Sequence, residues 1–165
     1  MILSAQSIRS RSGMIFPLLE RTVYEGMTFG LGPAGYDVRI AEDLYLRNGY
    51  FCLASTIERF DVPDDIMVKL HDKSSWARRG LFVQNTVFEP GWRGYATLEL
   101  TYHGRAPLAL KAGMPIAQAV FHRLDEPTVQ PYGESKYQDQ APGPVEAIHE
   151  RSRQPSSVSE NSQTS

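Results

Sequence analysis

Between His71 and Leu100 the chain reads HDKSSWARRGLFVQNTVFEPGWRGYATLEL, and this stretch holds most of the side chains able to do chemistry. Lys73, Ser74, Ser75 and Arg78 close an extended apolar run, and hydroxyls set among cations suit a small number of phosphate groups. Glu-Pro-Gly-Trp at 89–92 marks a turn. Glu99 lies inside a strand-like run, where a carboxylate needs a reason. An isolated strand glutamate is ordinarily solvated. Beside serines, a lysine and an arginine, it reads as the acid/base group of a nucleotide site.

The elements that must position these groups follow from periodicity. Along residues 95–100, Tyr95, Thr97 and Glu99 share one face and Ala96, Leu98 and Leu100 take the other, which is expected to pack inward. SSWARRG predicts one helical turn with Ser74 or Ser75 as N-cap and Gly80 as terminator. Its free N–H groups would make an anion cradle, although an ordinary capped turn has the same pattern. From Ile15 onward, short runs of β-branched and aromatic residues alternate with Gly, Pro, Asp and Asn. Strands are expected at 35–40, 50–59, 66–73, 80–85, 95–102, 108–111 and 115–123, giving a mostly β jelly roll or β-barrel with one or two short helices. One of these helices is expected over residues 2–9, with Ser4 as N-cap.

A chain of 165 residues with 41% hydrophobic and 10% aromatic content suits one domain with its own core. The formal net charge of -2 supplies no global basic field, so polymeric nucleic acid is not an expected partner. The single cysteine, Cys52, excludes an internal disulfide framework and a multi-cysteine metal site, and the cytoplasm is the expected compartment. The opening MILSAQSIRSRSG lacks a signal-peptide apolar core, and no segment approaches the roughly 20 apolar residues of a membrane span. No membrane is expected as a partner. His71, His103, His122 and His149 show no metal-ligand spacing. Beyond Pro142 the composition turns to Pro, Ser, Glu, Gln and Arg, so the domain is placed at 1–142 and a disordered polar tail at 143–165.

The blocks MILS, GYDVRI (35–40), FCLASTIERFDVPDDI (51–66), DKSSWARRGL (72–81), EPGWRGYATLEL (89–100), LALKAGMPIAQAVFHRL (108–124) and PYGESKYQDQ (131–140) together resemble the dCTP deaminase branch of the trimeric dUTPase-like family. The resemblance implies a distorted jelly-roll subunit in a homotrimer, with sites at subunit interfaces. It implies hydrolytic deamination of dCTP to dUTP and ammonia, or onward to dUMP, with Mg²⁺ carried on the nucleotide phosphates and no metal held by protein ligands. On the same resemblance Glu99 is the general base and proton shuttle, while Ser74 and Arg78 orient the water and carboxylate. Lys73 and Ser75 meet the phosphates, Glu89 the deoxyribose, and Thr97 and Leu98 the base. Tyr132, Lys136 and Gln140 belong to a segment that closes over the triphosphate.

Three positions depart from the family pattern. Lys73 stands where arginine is frequent and loses the bidentate fork. Glu89 stands where aspartate is usual. QNTVF (84–88) is shorter than the hairpin that shapes the pyrimidine pocket, so altered base choice or lost activity is an expectation to weigh. Two other functions fit parts of the chain. A pyrimidine-triphosphate pyrophosphatase would use Glu89 to activate a water, but Ser74-Ser75-Trp76 is not that branch's usual pattern. A non-catalytic nucleotide-binding protein would keep the fold without needing Glu99 beside Ser74 and Arg78.

Overall fold

Strict period-two burial runs through the strand at Arg93–Tyr102, where Gly94, Ala96, Leu98, Leu100 and Tyr102 are buried and the residues between them are partly exposed. The computed structural model describes residues 1–84 and 86–149. In chain order the elements are α1 (Ala5–Ser10), β1 (Ile15–Phe16), β2 (Thr22–Tyr24), β3 (Met27–Gly32), β4 (Gly35–Arg39), β5 (Leu44–Leu46), β6 (Tyr50–Asp61) and β7 (Ile66–Asp72). They continue with α2 (Ser74–Ala77), β8 (Leu81–Val83), β9 (Val87–Phe88), β10 (Arg93–Tyr102), β11 (Leu108–Leu110) and β12 (Pro115–Arg123). Each expected strand is present with small shifts at its ends. β1, β2, β5 and β9 are only two or three residues long, and β3 is interrupted by Gly30, so none of the five was expected.

A six-stranded sheet has the order β2-β3-β4-β12-β7-β9, a four-stranded sheet the order β1-β6-β10-β8, and β11 pairs with β5. Every pairing between these strands is antiparallel. The two large sheets share one core: Ala54, Phe60, Leu98 and Leu100 from one, and Tyr36, Val38, Val68, Leu70 and Phe121 from the other. The architecture is mostly β with two short helices, as expected, but the sheets remain open and do not close into a barrel. The reason lies at β8 and β9. They do not pair with each other; β8 lies on β10 and β9 on β7. The segment expected as a shortened hairpin therefore crosses from one sheet to the other, and each strand contributes too few rungs to join the sheets laterally.

Two details of this frame aim the site. Between Tyr95 and Thr97 the register of β10 on β6 shifts. This bulge is satisfied internally, since the Ala96 N–H donates to Thr56 Oγ1 at 3.0 Å and that hydroxyl donates to the Glu58 carbonyl at 2.8 Å. Nearby, fully buried Glu58 accepts from the Arg39 Nε at 2.7 Å and from the Arg39 backbone N–H at 2.8 Å. Burial pushes the Glu58 carboxyl up, and the bonds from Arg39 oppose this. Glu58→Ala should destabilise the protein by about 3–5 kcal/mol, because Arg39 is left without its partner. Urea unfolding of the variant checks this, and a change below about 1 kcal/mol would contradict it.

Candidate functional site

On its outward face β10 presents Thr97 and Glu99 to a cavity of about 700 Å³. The sheet neighbours Phe51 and Leu53 of β6 form one wall, and Thr86, Val87 and Phe88 from the crossover and β9 form another. Glu89, Trp92, Tyr132, Tyr137 and Gln140 also line the space. Glu99 is held opposite Leu53 by the β6 ladder, so its side chain leaves the sheet among apolar neighbours. Its Oε2 is shut off from solvent and has no hydrogen-bond partner among the described residues. Burial pushes the Glu99 carboxyl above the usual carboxylate range, and a hydrogen bond with its own backbone only partly opposes this. A desolvated carboxylate with an oxygen facing a cavity is of the chemical type that can exchange a proton with a bound water.

The Glu-Pro-Gly-Trp-Arg-Gly turn builds the far side of the cavity by docking the segment 131–140. Gly91 has φ +85°, and a Cβ there would lie 2.7 Å from the Cβ of Pro131. Gly94 has φ +144°, and its Cβ would lie 2.7 Å from the Gln140 nitrogen. The bare backbone lets the segment lie flat. Trp92 Nε1 donates to the Tyr137 carbonyl at 2.7 Å, and Tyr95 N donates to the Gln140 carbonyl at 3.0 Å. Arg93 grips Asp139 through two bonds of 2.9 Å. Thr97 Oγ1 accepts from Gln140 Nε2 at 2.5 Å and from the Val145 N–H at 3.0 Å. Val145, Glu146 and Ala147 line the cavity as well. Residues 143–149, assigned by composition to the tail, therefore run over the site, while residues 150–165 lie outside the described residues.

The structure brings together Glu99, Glu89, Thr97, Tyr132 and Gln140. Lys136 is exposed, with its ammonium 5.3 Å from the centre of the Tyr137 ring. Leu98 is turned the other way, fully buried in the core, so its side chain does not reach the cavity. Of the two positions expected to meet the base, Thr97 offers its side chain to the cavity, while the alternation along β10 turns that of Leu98 inward as expected. Ser74, Ser75 and Arg78 are exposed and do not line this cavity. Lys73 is buried, its Nζ 2.7 Å from Asp37 Oδ2, so a carboxylate of the same chain already meets its charge. Lys73 is also the N-cap of α2, in place of the expected Ser74 or Ser75, and makes no side-chain cap bond. That helix is a single turn of four residues, as expected. Trp76 Nε1 donates to the Pro115 carbonyl at 2.6 Å and pins α2 to β12.

Trp92 and Cys52, to which the sequence assigned no role at the site, also line the cavity. The roles of Tyr137, Val145 and Glu146 were not found. The available signal was P-G-W-R-G, because two glycines around a tryptophan mark a place where another segment must lie against the backbone. Among the described residues no group of three or more His, Cys, Asp or Glu converges to hold a metal ion, and no helix is long and apolar enough to cross a membrane.

A family model described as dCTP deaminase-like matches residues 34–124. The dUMP-forming dCTP deaminase of Methanoculleus marisnigri is 38% identical over 119 residues, covering 69% of this chain and 63% of that protein. Across this and two further curated relatives, the chain spans 51% to 63% of their length. Among solved structures, the 2'-deoxycytidine 5'-triphosphate deaminase from Agrobacterium tumefaciens superposes with a TM-score of 0.62 at 16% identity, covering 74% of this chain and 47% of that one. The EIAV dUTPase superposes with a TM-score of 0.51 at 24% identity, covering 62% and 85%. At these identities the structural likeness is one of fold.

Glu99→Gln should raise the melting temperature near pH 7. The folded-state carboxyl releases its proton at higher pH than the unfolded one, so its favourable contribution is lost as pH rises out of the ordinary carboxylate range. The neutral amide avoids that loss. Thermal melts from acid to neutral pH check this, with the gap closing toward the acid end; a variant less stable at neutral pH would contradict it.

Proposed function

This chain belongs to the dCTP deaminase-like family, and on that premise we propose that it hydrolyses the amino group of dCTP, giving dUTP and ammonia. The observation that carries this reading is the desolvated Glu99 carboxylate, with one oxygen unpartnered, facing a cavity large enough for a nucleotide. Deamination requires a water to lose a proton as it attacks C4, that proton to reach N3 where it stays, and the hydroxyl proton of the tetrahedral adduct to reach the amino group, which leaves as ammonia. A carboxyl held above its usual value takes each proton in turn and passes it on, the first to N3 and the second to the departing amino group, so one residue serves both steps. Mg²⁺ enters with the triphosphate as part of the substrate.

The cavity's own lining contains carboxylates and no lysine or arginine among the described residues. A triphosphate needs positive charge, and the exposed Ser74-Ser75-Arg78 block lies outside this cavity. Both facts support a homotrimer in which a neighbouring copy brings Ser74 and Arg78 to Glu99. Phe51 and Phe82, exposed on the same outward face of β6 and β8, supply apolar surface for such a contact. Glu89 supports a second step, activation of a water for attack on the α-phosphorus of dUTP to give dUMP and pyrophosphate.

Incubation with dCTP, dUTP, CTP and dCMP plus Mg²⁺, with ammonia and pyrophosphate assayed, tests the reading. Ammonia from dCTP is the expected result, and its absence from every substrate would overturn it. Glu99→Gln should lower deamination by about 10²–10⁴ while nucleotide binding persists. Arg78→Ala should also be nearly inactive. Reassembly of an equal mixture of the two variants should restore roughly a quarter of wild-type activity, because that share of interfaces pairs an intact Glu99 with an intact Arg78. No recovery would argue for a site held within one chain.

A further inference from the structure

Part of the cavity wall is the C-terminal stretch of the same chain. Val145 donates its backbone N–H to Thr97 Oγ1 at 3.0 Å, and Val145, Glu146 and Ala147 line the space beside Glu99. The Ile148 N–H donates to the Tyr137 hydroxyl at 2.9 Å, which ties down the far end of this stretch. With Gln140 Nε2 also donating, both acceptor positions of the Thr97 hydroxyl are occupied. Resting on the reading of this cavity as a nucleotide site, we propose that residues 143–149 are an autoinhibitory strap whose Val145 N–H competes with the base's amino group for Thr97.

The chemistry of the competition is specific. The exocyclic amino group of cytosine is an N–H donor, and the Val145 N–H is the same kind of donor at an acceptor on the cavity wall. Uracil presents a carbonyl at that position and gains nothing from a freed acceptor there. The strap also places Glu146 in a cavity that already holds Glu89 and Glu99. Three carboxylates with no lining lysine or arginine repel a triphosphate, so withdrawing the strap improves both base contact and phosphate approach. Gln140 stays in place, since Gly94 and Tyr95 hold its backbone independently of Thr97. Release therefore begins after residue 140.

The test uses the full chain, Val145→Pro, a chain ending at Gly143, and a control lacking only residues 150–165. Val145→Pro removes the donor and keeps the rest of the strap. The dissociation constant for dCTP is measured by calorimetry in the Glu99→Gln background, which prevents turnover. Both strap variants should bind dCTP about three- to tenfold more tightly than the full chain, the worth of one hydrogen bond, with a smaller gain for dUTP. The control should match the full chain. Weaker binding in both strap variants would show a lid that holds the nucleotide, and unchanged binding would show a bystander; either overturns the proposal. Hydrogen exchange at the Val145 amide without nucleotide is a separate readout. Protection that is lost on adding dCTP supports the strap, whereas fast exchange in the free protein overturns it even if dCTP binds. Failure of every chain to bind dCTP, with the amide still protected, would instead refute the nucleotide reading and the competition built on it.

Discussion

Side-chain alternation along β10 is the constraint shared by the core and the cavity. One strand sends Ala96, Leu98 and Leu100 into the interior and Thr97 and Glu99 out of it. A shift of one residue would bury the carboxylate in the core and expose the leucines, so the pairing with β6 must be held firmly. The bulge at Ala96 does this without leaving a buried polar group unpaired, because the Thr56 hydroxyl accepts from the Ala96 N–H and donates to the Glu58 carbonyl. The position of Glu99 is thus tied to a buried network that includes the Arg39–Glu58 ion pair.

Charge is handled differently on the two sides of this frame. Lys73 and Arg39 each meet a carboxylate of the same chain, Asp37 and Glu58, and these pairs are almost wholly enclosed. Among the described residues Glu99 has no such partner. The fold leaves one carboxylate oxygen dry and unpaired at a cavity wall, an arrangement that costs stability and is reasonable only where a ligand or a water takes up the bond. Leu53 and Phe88, which line the same cavity, offer it no competing donor.

The polar turn at 89–94 links the cavity to the C-terminal segment. Its glycines permit a backbone approach that any Cβ would block, and Trp92, Arg93 and Tyr95 then hold residues 137–140 by bonds from the indole, the guanidinium and the main chain. A segment without regular secondary structure is in this way fixed against the sheet. The cavity is built from three parts of the chain, β6 with β10, the crossover into β9, and the segment beyond 131, so a ligand there senses all three.

The sequence by itself determined the mostly β class, the strands long enough to show a period of two, the outward face of Glu99 and Thr97, and the family to which the chain belongs. Each of these depends on local order along the chain or on contiguous motifs. The open sheets, the crossover between β8 and β9, the burial of Lys73 against Asp37, the separation of Ser74 and Arg78 from the Glu99 cavity, and the passage of residues 143–149 across it were decided only by the tertiary structure. Lys73 reads as a free cation until Asp37, far away along the chain, is placed 2.7 Å from it. The stretch after Pro142 reads as solvated tail until the Thr97 hydroxyl offers its backbone an acceptor. In both cases the deciding partner comes from a remote strand, and composition carries no information about which remote group will meet a given side chain.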